Sequence, residues 1–172
     1  TMGTGIAQVC AMAGHQVVMF DVNGDALNKA LTIIESNLDK GIARGKVSEE
    51  QKVATLKNIT TSPNLDEVKA DLIIEAVVER LDVKIDLFNQ LAAVNSESTI
   101  LATNTSSIPI TQISAKVRNP ERVVGIHFFN PAHIMKLVEV VSGAHTSEEV
   151  AKTAYDFVNQ IGKVPIMAKD AP

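Results

Sequence analysis

Hydrophobic and polar positions along this chain switch between a helical and an alternating period, and the switches mark its elements. In GTGIAQVCAMAG, Ile6, Val9, Cys10 and Ala13 recur at helical spacing and Gly14 is a natural stop. Gln16 to Phe20 then reads as a strand closing on Asp21. From about Gly24 to Arg44 a second helix carries Leu27, Ala30, Leu31, Ile34, Leu38 and Ile42 on one stripe. Ser48 with Gln51 three residues on has the form of a capping box; ITTS follows as a strand, then a short acidic turn at Asp66 and Glu67. Asp71 to Glu75 has the composition of a buried strand, and Val83, Leu87, Leu91 and Val94 mark a helix starting near Arg80 or Leu81. The spacing further predicts strands at Thr99–Ala102, Arg122–Phe128 and Lys136–Val141, with a short helix at Pro109–Ser114. A helix N-capped by Ser147 runs to Ile161, Gly162 ends it, and Lys163–Ala168 is a last strand.

Strand and helix alternate throughout, which predicts an α/β fold with a mostly parallel, doubly wound sheet. No repeat, low-complexity segment or linker interrupts residues 1–172, so the whole reads as one domain. The 172 residues, 45% of them hydrophobic, suffice for one soluble core. A formal net charge of −4 argues against a nucleic-acid partner, which would call for a clustered basic face. No apolar run reaches the ~18–20 residues of a membrane span, and no signal peptide is visible. Cytosol or an organelle matrix both fit. A single cysteine, Cys10, excludes an intrachain disulfide and a multi-cysteine metal site, and it reads as a small apolar residue inside a helix.

Chemistry concentrates between Thr99 and Val141, where three apolar runs deliver polar groups only at their ends or at one isolated position. An α/β enzyme presents side chains in this way, at the carboxyl edge of a dry sheet. Asn104, Ser106, His127 and Glu139 are therefore read as one active site. His127 ends the run VVGIH, and Glu139 is an ionisable residue inside KLVEVV, costly to bury unless paired. A carboxylate on one imidazole nitrogen would leave the other to take a proton. The competing readings are a core histidine bonded to a backbone carbonyl and a Glu139 facing solvent on an edge strand. In the cluster Thr103-Asn104-Thr105-Ser106-Ser107, one serine can N-cap the helix that follows while the other bonds a substrate oxygen, and Asn104 can reach a carbonyl or amide. Without a G-x-S-x-G elbow a serine-hydrolase triad is disfavoured.

The first residues carry part of a dinucleotide fingerprint. Gly3 would be its third glycine and Gly5 a further small residue in the same turn. Asp21, 18 residues after Gly3 (21 − 3), stands where an acid accepts the ribose hydroxyls of an adenosine. The first two glycines and the strand before them are not in this sequence, so the expected sheet lacks its first strand.

TMGTGIAQ, TNTSSIPITQI and RVVGIHFFNPAHIMKLVEVV, in this order and spacing, closely resemble the L-3-hydroxyacyl-CoA dehydrogenases, most of all the bacterial 3-hydroxybutyryl-CoA dehydrogenases. The resemblance covers essentially the whole chain. It implies the N-terminal, Rossmann-like NAD-binding domain of an enzyme oxidising L-3-hydroxyacyl-CoA to 3-oxoacyl-CoA and back. It also implies a smaller C-terminal helical domain, into which KDAP would lead, and a homodimer made through it. Matched residue by residue, His127 is the catalytic base, Glu139 its carboxylate partner and Ser106 the residue holding the substrate 3-oxygen. Asn104 lies beside the nicotinamide, Asp21 binds the adenosine ribose and predicts NAD over NADP, and Gly3, Glu79 and Lys84 fall at cofactor positions. Without the resemblance, Glu79 and Lys84 read as ordinary charges around the start of an exposed helix. Asn37 and Arg44 fall where a serine and a lysine touch CoA in some members; Arg44 keeps the charge and Asn37 does not match. A catalytic asparagine of the family would lie beyond Pro172, so the chain by itself is expected to be inactive. Two rivals are a dehydrogenase part of a multifunctional β-oxidation protein and a relative that binds NAD without catalysis.

Overall fold

A computed structural model describes residues 2–170, which form two compact units. One runs to Val68 and includes Pro131–His133; the other comprises Lys69–Asn130 and the chain from Ile134 onward. No linker marks the division in the sequence, because the chain passes directly from Val68 to Lys69 and revisits the first unit only briefly.

The first unit contains α1 (Met2–Met12), β1 (Val17–Phe20), α2 (Gly24–Ala43), α3 (Glu49–Lys57), β2 (Ile59–Ser62) and a 3₁₀ turn at Leu65–Glu67. β1 and β2 pair in parallel, Val17 opposite Ile59 and Phe20 opposite Ser62. Ala7, Ala11, Ile34, Leu38 and Ile59 close into its core. The α2 stripe read from the sequence supplies Ile34 and Leu38, whereas α1 contributes Ala7 and Ala11 and leaves Ala13 of its expected stripe exposed. The ends are local chemistry. Gly14 takes φ +98° after α1, Asn23 caps α2 by accepting from the amides of Asp25 and Ala26, and Ser48 and Gln51 form the capping box of α3.

The second unit contains β3 (Leu72–Glu75), α4 (Leu81–Val94), β4 (Ile100–Thr103), α5 (Ile110–Ser114), β5 (Val123–Phe128), β6 (Leu137–Ser142), α6 (Glu148–Gln160) and β7 (Val164–Lys169). Its sheet runs β3-β4-β5-β6-β7 and is parallel except between β5 and β6. That exception follows from connection length. Eight residues (129–136) join β5 to β6, fewer than the dozen or so that a parallel crossover needs. Phe88, Ile113, Val123, Val124, Ile126, Val138, Val140 and Val150 make a dry interior. Gly125 is required in β5, because a Cβ there would come within 2.9 Å of both Ile110 Cδ1 and Val141 Cβ.

The expected elements are thus present with ends shifted by a residue or two, in an α/β fold with a mostly parallel five-stranded sheet. β1 and β2 hydrogen-bond as a separate pair. No helix among the described residues is long and apolar enough to cross a membrane.

Candidate active site

The antiparallel register of β5 and β6 sets His127 directly opposite Glu139. Cross-strand partners project to the same face, and here they meet, with Nδ1 3.1 Å from Glu139 Oε1. A carboxylate can only accept, so the proton of that bond sits on Nδ1 and the Nε2 lone pair is left to act as a base. The two side chains are 18% and 36% exposed, accessible yet partly shielded. The Phe129 ring lies against the imidazole at 4.8 Å between centroids. Neither competing reading holds. His127 is bonded to a carboxylate rather than to a backbone carbonyl, and β6 is not an edge strand because β7 lies beyond it.

β4 runs parallel to β5, Thr103 opposite Gly125, so the turn after β4 opens at the same carboxyl edge as His127. Nearly every polar group in this turn is committed. The Asn104 amide donates to Glu75 O (3.0 Å), and its side-chain Oδ1 accepts from Phe128 N (2.7 Å), which turns its NH₂ outward without a partner among the described residues. Thr105 Oγ1 donates to Glu79 Oε2 (2.7 Å) and accepts from Ile108 N (3.0 Å); Ser107 Oγ donates to Glu79 Oε2 (3.0 Å). Ser106 is exposed, and among the described residues its hydroxyl makes no hydrogen bond.

This corrects the expectation that one of the two serines caps the following helix. α5 starts at Ile110, later than expected, and its first two amides are taken by the Asp170 carboxylate: Ile110 N to Oδ1 at 2.9 Å and Thr111 N to Oδ2 at 2.7 Å. A partner 59 or 60 residues away leaves no local signal.

Glu79 and Lys84 are also not the ordinary surface charges of an exposed helix. Lys84 is fully buried in the first turn of α4. Its Nζ donates to Glu75 Oε1 (2.8 Å), Glu75 Oε2 (2.9 Å) and Val77 O (3.3 Å), and stands 3.1 Å from Glu79 Oε1. Those partners occupy the ammonium, so in this structure Lys84 presents nothing outward. Glu75, itself buried, also accepts from Thr103 Oγ1 and from Val77 N (3.0 Å). Burial pushes the Glu79 carboxyl up, but hydrogen bonds from Thr105, Lys84 and Ser107 outweigh it and hold the group below its ordinary value. Sequence reasoning passed over Glu75, whose signal was a charge closing an apolar strand. It also set the α4 stripe one residue early at Val83 and Leu87, though not at Leu91. The buried positions are Lys84, Phe88 and Leu91, and a lysine at the head of that stripe disguises it.

The remaining candidates belong to the first unit. Gly3 lies in the first turn of α1, and a Cβ on Gly5 would stand 3.2 Å from the Ala132 Cβ, so that turn must stay small. Asp21 follows β1, with Oδ1 accepting from Asn23 N (2.9 Å) and Oδ2 unbonded among the described residues. Arg44 is exposed at the end of α2. Asn37 Nδ2 donates to Gln8 Oε1 (3.0 Å), which joins α2 to α1. Cys10 is buried inside α1, which pushes its thiol up to about 12.

The family model for the NAD-binding domain of 3-hydroxyacyl-CoA dehydrogenase matches residues 1–171. A 3-hydroxyadipyl-CoA dehydrogenase of Escherichia coli K12 is 47% identical over 173 aligned residues, covering 100% of this chain and 36% of that protein. A 3-hydroxybutyryl-CoA dehydrogenase of Clostridioides difficile is 41% identical, with 100% and 62% covered. The crystal structure of (S)-3-hydroxybutyryl-CoA dehydrogenase from Ralstonia eutropha superposes with a TM-score of 0.97 at 39% identity, covering 100% of this chain and 61% of that one. The chain therefore spans between about a third and two thirds of the length of these relatives.

Proposed function

The chain belongs to the family of 3-hydroxyacyl-CoA dehydrogenase NAD-binding domains, and from that premise we propose that its protein interconverts an L-3-hydroxyacyl-CoA, such as 3-hydroxybutyryl-CoA, and the 3-oxoacyl-CoA. The observation that carries the reading is the His127–Glu139 pair, with its base nitrogen free, at the sheet edge where Ser106 offers an unengaged hydroxyl.

Ser106 Oγ would donate to the substrate 3-oxygen and set its distance from His127. Nε2 would take the hydroxyl proton while Nδ1–H stays on Glu139, whose charge steadies the imidazolium as it forms. In the reverse direction the same proton returns from Nε2 to the 3-oxygen. NAD, when bound, supplies the two-electron acceptor for the hydride leaving C3.

The residues present suit that cofactor in each unit. In the first, the free Asp21 oxygen is an acceptor for ribose hydroxyls, and Val22, Asn23 and Gly24 after it supply no cation for a 2′-phosphate. The small first turn of α1 keeps room for phosphate. In the second, the outward Asn104 NH₂ and the partly exposed Glu79 carboxylate are the candidate contacts, with Lys84 supporting from beneath. Arg44 remains a candidate for CoA phosphate. A homodimer and a cytoplasmic or matrix setting accompany this reading, on the strength of the resemblance.

The test is His127→Gln in the full-length protein with acetoacetyl-CoA and NADH. Turnover should fall by ~10²–10⁴, as when general-base catalysis is lost, while NADH binds as before. Normal turnover in the variant removes the assignment.

A further inference from the structure

The turn that carries Asn104 and Ser106 has no apolar anchor of its own between Thr103 and Ser107. Asn104 Oδ1 ties it to β5 by accepting from Phe128 N, and what ties it to β3 is one buried carboxylate. Glu75 Oε1 accepts from Thr103 Oγ1, and that same oxygen of Thr103 accepts from Thr105 N at 3.2 Å. The Glu75 backbone carbonyl takes the Asn104 amide at 3.0 Å. Lys84, clamped on both Glu75 oxygens, reaches Glu79 Oε1 at 3.1 Å, and Glu79 Oε2 in turn receives Thr105 and Ser107. The ties from this turn to β3 thus pass through Glu75, and those to Glu79, in the loop before α4, are braced by its ion-pair partner Lys84.

We infer that Glu75 is the positioning residue of the site: acting through Thr103 and through Lys84, it fixes the turn so that the Ser106 hydroxyl stands ready and unengaged. It is buried, so its action is through its neighbours. A buried charged pair is poor value as a source of stability, since two well-packed apolar side chains often do as well. Its particular use is directional. A carboxylate with two oxygens and about four acceptor positions can hold Thr103 Oγ1, Val77 N and Lys84 Nζ at fixed angles, which no apolar residue can do. The lysine leaves this buried charge compensated, and Glu79 extends the hold to Thr105 and Ser107. The inference rests on the reading of Ser106 as the donor to the substrate oxygen.

Thr103 offers the cleanest cut, because removing its hydroxyl breaks the tie to Glu75 without leaving a buried charge unpaired. Thr103→Val and Thr103→Ser are compared with wild type in the full-length protein. Amide hydrogen exchange is followed across residues 104–108, and kcat and KM are measured for 3-hydroxybutyryl-CoA oxidation. In Thr103→Val, Thr105 N loses its own acceptor, so the reporting amide is Ile108: its exchange should quicken about tenfold and kcat should fall about tenfold, the factor set by one hydrogen bond. Thr103→Ser should restore both. Exchange that stays at the wild-type rate in the valine variant overturns the inference, as does faster exchange with kcat intact. Should wild type show no turnover of any 3-hydroxyacyl-CoA, the proposed reaction fails, and the exchange comparison still decides whether Glu75 holds the turn.

Discussion

Replacing Glu139 with Gln isolates one contribution to the chemistry. The glutamine keeps an oxygen to accept from His127 Nδ1, so ring orientation and tautomer survive, and only the charge goes. When the substrate proton reaches Nε2, the imidazolium carries a unit charge centred about 4 Å from the carboxylate, given the 3.1 Å contact. At that distance the attraction is about 1 kcal/mol in bulk water and about 4 kcal/mol at the effective dielectric near a protein surface. Side chains 18% and 36% exposed lie between these limits. A loss of about 2–3 kcal/mol follows, or a fall in kcat of about 30- to 150-fold. The assay is the initial rate of NADH formation from 3-hydroxybutyryl-CoA in the full-length protein, repeated with substrate deuterated at C3. The isotope effect matters because product release can hide a slower chemical step. Glu139→Ala should be worse than Glu139→Gln, since orientation is lost as well. A fall of less than about threefold, with a full isotope effect in both proteins, would be below anything Coulomb's law permits for this geometry and would refute the role of the charge.

Ser106→Ala should lower kcat/KM by about 10- to 100-fold, the worth of a hydrogen bond to a developing charge, while unfolding free energy stays within about 0.5 kcal/mol because the hydroxyl is exposed and unbonded. Calorimetry that shows clear destabilisation would mean the serine serves the fold. Lys84→Met strands the buried Glu75 carboxylate and should cost about 3–5 kcal/mol, seen as a fall in Tm of about 6–20 °C for a chain of this size; an unchanged Tm would mean the pair is not buried in solution. Glu79, held below its ordinary value of 4.5, contributes stability that is fully present above that value and is lost as pH falls through its lower folded value. Glu79→Gln should accordingly flatten the loss of stability below about pH 4.5, measured by urea unfolding across acid pH, and equal acid slopes in the two proteins would contradict this.

Most of the fold was legible because its signals are local. The capping box at Ser48, the stripe from Leu27 to Leu38, the cap at Ser147 and the stop at Gly162 all act within a few residues. The His127–Glu139 pair was legible too, since an ionisable residue inside an apolar strand demands a partner and the neighbouring strand carried one. What stayed hidden was side-chain traffic between distant elements. Lys84 at the head of the α4 stripe looks like a helix-surface lysine until the buried Glu75 is known to face it. Asp170 as the cap of α5, and Gln8 as the partner of Asn37, are likewise invisible to any window of sequence.

The freedom of the Ser106 hydroxyl also bears on how such a chain can evolve. Its neighbours Thr105 and Ser107 are bonded to Glu79 and Thr103 to Glu75, so their loss is felt by the fold and exposed to cellular quality control. Ser106 has no such guard. A duplicated copy released from selection for turnover could exchange this residue and still express, fold and persist. On the proposed reading a single exchange there lowers kcat/KM by about 10- to 100-fold, and abundance or thermal stability would give no sign that it had been made.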